Sequence, residues 1–523
     1  MTPRGTVPSR RPRGYSHRKR RKHGQSLMLS ANRPRSASIT GHIVDFACRI
    51  AFLSSTEPND APIGRPFDPR AAMWSVFPTR LFPDERLHKR VAEIWATAAA
   101  VFHGSGSGEA LTTERTRRRG AQRLYDNERL AIEPLRQRGR RLTLQLTEKD
   151  DADLIAFHDS SEIDLSGRWA PSDAGPLRSS NARGYMMHAI VLVDAKEHVS
   201  RGFLAAETWT RSFELTHNDQ RRPAEQKESY KWKRGLHAAL EAAPERARLW
   251  THVMDREGDV HENFEFALDE RLNVIVGGQG DHRIVEGSGK LRRFLRHQPV
   301  LDRRDVEMTS SATGRREKRR LAIRAAEVTI LPRKKYPTHR KRRPVTVNVV
   351  YVRGETAKQE WMLITTCAID TLESVWSVWA AYRARTVGEE AFKMLKTGLL
   401  IEKESIRDIT AFQRKLAILL PLATTIFEWR HQARMAPTAP AESCVDPDTL
   451  RDLRSAARFH RLKMPPGRWS VRHVVEVLAR LGGYEPRADQ PPGWLTMWRG
   501  WHVFAVFRDT VRFALQDHAL ERG

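Results

Sequence analysis

The sequence predicts an α/β protein in which a core of strands and helices is interrupted by a strand-rich insertion and flanked by helical regions. Three observations carry that expectation. Five short apolar runs between residues 154 and 277 end in polar residues, as buried strands do. A helix-forming stretch separates the third run from the fourth, and three further β-rich runs follow before residue 370.

Residues 1–66 are rich in Arg, Pro and Ser, with a concentrated basic run in SRRPRGYSHRKRRKHG, Ser9 to Gly24. Such a segment buries too little apolar area to offset its ordering entropy, so it is expected to be a disordered basic leader. It is either a non-specific DNA arm or sequence translated ahead of a true start at Met28 or Met73, and the second account is slightly favoured. Residues 67–140 turn helical. PDERLHKRVAEIWATAAAVF spaces Leu87, Val91, Ile94, Trp95 and Ala98 on one face, with Arg86, Lys89 and Arg90 elsewhere. TERTRRRGAQRLYDNERLAIEPL then crowds Arg115, Arg117, Arg118, Arg119 and Arg123 together. Two short basic helices suggest a DNA-binding domain with Arg86 and Arg123 as candidate contacts; a helical cap on the core is the competing account.

Residues 141–300 form the first part of the core. LIAFHD, MHAIVLVDA, GFLAAETW, RLWTHVMD and LNVIVG are its strands, and KESYKWKRGLHAALEAAPERA suits a crossover helix. Residues 301–370 are the insertion, where LAIRAAEVTILP, PVTVNVVYVRG and EWMLITTC read as antiparallel strands around the basic RKKYPTHRKRRP. The core resumes over 371–438. Beyond a Pro-containing linker, residues 439–523 are helical, and the aromatic Trp494, Trp498 and Trp501 are a plausible dimerisation surface.

A formal charge of +27 and a pI near 10.5 point to a polyanionic partner, because clustered Lys and Arg gain affinity for nucleic acid by releasing counterions. An anionic membrane is the weaker candidate: no run of about 18 apolar residues and no signal-peptide core occurs. The three cysteines, Cys48, Cys367 and Cys444, lack the paired spacing of a zinc site or disulfide framework. The chain therefore reads as cytosolic, with any metal bound through oxygen, which favours Mg²⁺ or Mn²⁺.

The candidate site is built from three acids. In AYRARTVGEEAFKMLKTGL, Ala381 to Leu399, Tyr382, Arg385, Glu389 and Lys396 fall within a stripe roughly 60° wide on an α-helix. One acid among cations is a poor packing surface and a good place to hold a metal ion beside a phosphate. Asp159 and Asp255 each end a predicted strand, where ligands of open α/β sheets collect. Structural roles compete at each point: a turn cap for Asp159, a helix cap or a pairing with Arg256 for Asp255, a solvated ion-paired face for the stripe. Asp194, Asp259 and Glu390 rank below the chosen set.

These motifs resemble, in order, those of a DDE transposase of the insertion-sequence-four family, in the group similar to the Tn-five transposase. YRARTVGEEAFKMLK resembles the family's Tyr, Arg, Glu, Lys motif, DREGDVHENF the second-aspartate motif and HDSS the first; the similarity spans roughly residues 68 to 510. It implies an RNase H-like core with Asp159, Asp255 and Glu389 binding two Mg²⁺ ions, for which Mn²⁺ can substitute. It implies phosphate contacts from Tyr382, Arg385 and Lys396, and a Trp361 that stacks on a flipped base; a core role for Trp361 competes. The group places a basic residue where this chain has Gly277 and Gly278; either Arg283 replaces that phosphate contact from a shifted position or the contact is missing.

The resemblance implies cut-and-paste transposition: binding of terminal inverted repeats in double-stranded DNA, nicking, hairpin formation and strand transfer by a homodimer bridging two ends, in the bacterial cytoplasm at the nucleoid. The alternatives are a catalytically silent DNA-binding inhibitor derived from a transposase, and a nuclease of the same core that cuts without joining.

Overall fold

Nine strands of three residues or more, together with three two-residue pieces, make one twelve-stranded sheet among the described residues. The computed structural model describes residues 69–520 apart from 98–118, 150–153, 168–169, 179–180, 213–222, 281–282, 310–315, 333–341, 355–358, 404–405 and 487–491. The expected leader and Arg115, Arg117 and Arg118 lie outside the described residues.

The core strands are β1 (Leu154–Asp164), β2 (Arg183–Asp194), β3 (Val199–Trp209), β4 (Thr251–Met254) and β5 (Asn273–Gly277). β1 pairs antiparallel with β2 and parallel with β4; β2 pairs antiparallel with β3, and β4 parallel with β5. β2 is buried over all but its first residue because helices cover both faces, which is why its sequence is apolar without alternation. The insertion is antiparallel as expected: β6 (Asp302–Thr309), β7 (Arg316–Leu331), β8 (Val345–Arg353) and β9 (Glu360–Thr365). It is continuous with the core, since β9 pairs with β5 through Leu363 opposite Gly277.

Helices on the two faces are placed by glycines. On one face α4 (Lys231–Ala242), the expected crossover, brings Gly235 against the imidazoles of His158 and His188, so closely that a methyl group there would sit 2.7 and 2.8 Å from their ring nitrogens. Both rings are buried, and His158 Nε2 lies 3.0 Å from Nδ1 of the buried His252. His252 Nε2 in turn lies 2.9 Å from the Ala247 carbonyl, to which it donates; its Nδ1 is then the acceptor and His158 Nε2 the donor. On the other face lie α8 (Leu372–Arg383), α9 (Arg385–Lys393) and α10 (Ile409–Met435). Gly202, at φ +140°, lets β3 approach Thr424 of α10, whose hydroxyl accepts the Phe203 N–H.

α10 also organises both ends of the described chain. Trp95 of α2 (Glu85–Thr97) donates to the Ile418 carbonyl, and Arg414 donates to the Tyr125 and Leu130 carbonyls. The helices after residue 67 therefore cap the core, while Arg86 and Arg123 remain exposed. At the other end Trp498 and Trp501 of α13 (Trp494–Leu520) pack on Trp429 with ring centroids 6.3 and 5.3 Å away. Trp494, Trp498 and Trp501 are all buried within their own chain, which removes them as a dimerisation surface. Wide aromatic faces matched a groove on α10 instead. No helix among the described residues is long and apolar enough to cross a membrane.

Candidate active site

Asp159 lies in the middle of β1 rather than at its end, which corrects the sequence expectation. The parallel ladder between β1 and β4 nevertheless stops at His158 opposite Met254. Asp159 and Asp255 each follow directly on that last pair, so the two acids emerge side by side where the parallel pairing ends. Beyond that point β1 continues against β2 alone, Asp159 facing Ala189. The longer strand was not legible because Ser160, Ser161 and Glu162 read as a polar stop, whereas their backbone is satisfied by β2.

Each aspartate also has the local role that competed with function. Asp159 Oδ1 accepts the Ser160 N–H at 2.7 Å, and Asp255 Oδ1 accepts the Glu257 N–H at 2.7 Å, capping a single turn over Arg256–Gly258. Burial pushes the Asp159 carboxyl up to about 7; the Ser160 N–H and Arg385 oppose this, while Asp255 and Glu389 add to it by repulsion. Asp255 is raised too, chiefly by burial; the Glu257 N–H, Arg385 and Lys231 oppose this, while the Glu257 carboxylate adds to it. Two neighbouring acids driven towards their neutral forms by burial are a place where a cation is favourable.

Alternation along β1 puts Phe157 and Asp159 on the face that α9 crosses. Gly388 makes the crossing possible: a methyl group there would stand 1.7 Å from a ring carbon of Phe157. The next residue is Glu389, which is thereby brought within electrostatic range of Asp159. Its exposed carboxylate accepts a 2.7 Å hydrogen bond from Arg385 Nη2.

The expected single stripe does not form, because the helix breaks at Ala384. α8 ends at Arg383, α9 starts at Arg385, and residues Met394–Gly398 make a π-turn. Tyr382 is buried, its hydroxyl directed at Gly277, where an added methyl group would lie 2.4 Å away. The glycine that replaces an expected basic residue is thus the niche for Tyr382. Lys396 donates to the Glu162 carbonyl of β1 and pairs with Glu402 at 3.2 Å. Arg283 does not replace a phosphate contact: it is buried in an ion pair with Asp259, whose other oxygen accepts the Gln279 N–H at 2.8 Å.

The remaining candidates have structural partners. Glu390 pairs with Arg430, Asp194 accepts the Lys196 and Glu197 N–H groups of its turn, and half-buried Trp361 meets Trp379 edge-on at 5.9 Å. One residue near the site was missed. Lys231 of α4 is buried, with Nζ 3.1 Å from Glu257, and favours the charged form of Asp255. Its only sequence signal was a cation at the start of the crossover helix.

The structure therefore sets Asp159 beside Asp255, with the Arg385–Glu389 pair within electrostatic range, places Lys396 against the same strand as Asp159, and leaves Trp361, Arg86 and Arg123 in other settings. Among the described residues no group of three His, Cys, Asp or Glu side chains is gathered so as to hold a metal ion. The aspartate pair suits a divalent cation by its chemistry; the third acid, held by Arg385, does not join it. No protein-family model matches the chain.

Proposed function

We propose that the chain is a DDE-type DNA transposase that hydrolyses and rejoins phosphodiesters at the ends of its own element. The observation that carries the reading is the pair Asp159 and Asp255, emerging where two adjacent parallel strands stop pairing, with both carboxyls raised chiefly by burial. The strand order β3–β2–β1–β4–β5, with helices on both faces, supports an RNase H-like assignment for residues 141–300 and 371–438.

In this reading Asp159 and Asp255 hold Mg²⁺ or Mn²⁺, and Glu389 joins them. Divalent ions bound there would supply activation of water or a 3′-hydroxyl and stabilisation of the departing oxygen, the chemistry that hydrolysis, hairpin formation and strand transfer share. Arg385 meets a phosphate near the scissile bond, and Tyr382, seated at Gly277, sets where that guanidinium stands. Lys396 ties β1 to the π-turn, and Lys231 favours the charged form of Asp255 against its burial. Arg86 and Arg123, both exposed, are proposed to contact the terminal repeat, and Trp361 to stack on a displaced base. Two copies bridging two ends, at the bacterial nucleoid, complete the proposal.

One observation favours a second reading, a catalytically silent DNA-binding inhibitor: the three acids are not gathered. A nicking assay on duplexes carrying the element's inverted repeats, with Mg²⁺, Mn²⁺ or EDTA, separates the two. Cation-dependent nicks and joined products, lost in Asp159→Asn and Asp255→Asn, are the expected result. Retarded but uncut DNA would favour the inhibitor.

A further inference from the structure

We infer that Arg385 is a phosphate-released latch on Glu389, so that the third carboxylate joins the aspartate pair only when a phosphodiester occupies the site. The inference rests on the proposed reading and explains why the three acids are not gathered in the free chain.

The latch is local and reversible. Arg385 opens α9 immediately after the break at Ala384, and Glu389 lies one turn on, the spacing at which Arg and Glu side chains meet. The guanidinium grips Glu389 Oε1 at 2.7 Å and is also held by the Tyr382 hydroxyl. Tyr382 cannot recede freely, since it is buried and lodged at Gly277. Arg385 is thus tethered at its back and offers its fork to one anion at a time.

Both partners are within reach of an incoming ligand. The side chain of Arg385 is 35% exposed and that of Glu389 51%. A helix-surface ion pair of this exposure is a weak hold, whereas an Arg–phosphate contact is charge-assisted and commonly bidentate. A phosphate oxygen therefore displaces the carboxylate, and the freed Glu389 stands on the helix that Gly388 presses against Phe157, two residues before Asp159. Phosphate binding and cation binding are coupled through Arg385, and by linkage each strengthens the other.

The test is Mn²⁺ binding by the full chain without DNA, read as free Mn²⁺ by electron paramagnetic resonance. Arg385→Gln is expected to bind Mn²⁺ several-fold more tightly than wild type, and Arg385→Lys to fall between them. Removing a cation could tighten binding through bulk electrostatics alone, so the deciding measurement is a double-mutant cycle. In the Glu389→Gln background the gain from Arg385→Gln should vanish. A gain that persists without Glu389, or no gain in either Arg385 variant, overturns the latch. If Asp159→Asn binds Mn²⁺ as wild type does, the cation site itself is refuted, an outcome distinct from failure of the latch. As a second readout, Ca²⁺ should tighten wild-type binding to a fluorescent duplex, and Glu389→Gln should remove that enhancement.

Discussion

At the scale of single residues, the site trades stability for charge. Asp159 is an ordinary aspartate in the unfolded chain and is pushed up to about 7 in the folded one. The folded state thus disfavours the ionised form, and the penalty grows as pH rises from about 4 to 7 and is constant above. Its ceiling is about 4 kcal/mol. Asp159→Asn should therefore raise the melting temperature at pH 8, with the gain shrinking towards zero near pH 4 in a thermal-shift series. Gly277 makes the opposite point. Gly277→Ala should cost about 1–3 kcal/mol by overpacking, and Tyr382→Phe in the same chain should recover part of it, because the hydroxyl is the nearest atom. The sequence singled out the two aspartates as acids closing apolar runs, although Asp159 lies within its strand. The niche at Gly277 was not legible, because its meaning lies in a contact with a helix more than a hundred positions away.

At the scale of elements, α9 is set by one close approach. Gly→Ala inside a helix ordinarily stabilises by about 1 kcal/mol, but at Gly388 the added methyl would overlap Phe157. The sign should invert: Gly388→Ala is expected to destabilise by about 1–3 kcal/mol, with Phe157→Leu restoring part of the loss in urea unfolding. Tyr382, Arg385, Glu389 and Lys396 do lie at helical intervals, yet nothing about Ala384 in the sequence announces the break found there. The strands were easier, since apolar runs placed all five core strands and the last three of the insertion. Their limits shifted where a polar segment borrowed a neighbour's hydrogen bonds, as beyond Asp159.

At the scale of the whole molecule, three buried imidazoles between the sheet and α4 set the acid limit of the fold. Burial lowers all three: His158 to well below the usual histidine value, His188 to about 3 and His252 to about 4. Nearby His252 and His188 add to the lowering at His158, as Lys231 and Arg234 do at His188; the Ala247 hydrogen bond opposes it at His252. Groups with depressed folded values stabilise fully above about 6.5 and lose that contribution as pH falls towards 4. The loss is on the order of 3 kcal/mol for His252 alone. Melting temperatures should fall steeply between pH 6.5 and 4.5, most cleanly in Asp159→Asn, where the carboxylate's opposite trend is absent. His252→Asn should lessen the slope. The α/β class and the helical flanks were legible at this scale; the fate of the terminal tryptophans was not, because a broad aromatic face suits an internal groove as well as a second molecule.

Those tryptophans reach further than their own helix. Trp498 donates to the carbonyl of Gly398, and Trp494 lies so close to that glycine that a methyl group there would stand 2.8 Å from its ring. Gly398 closes the π-turn that carries Lys396. The last helix is therefore a buttress behind the turn, and a chain cut short before Trp494 would leave Lys396 hanging on a ledge with nothing beneath it.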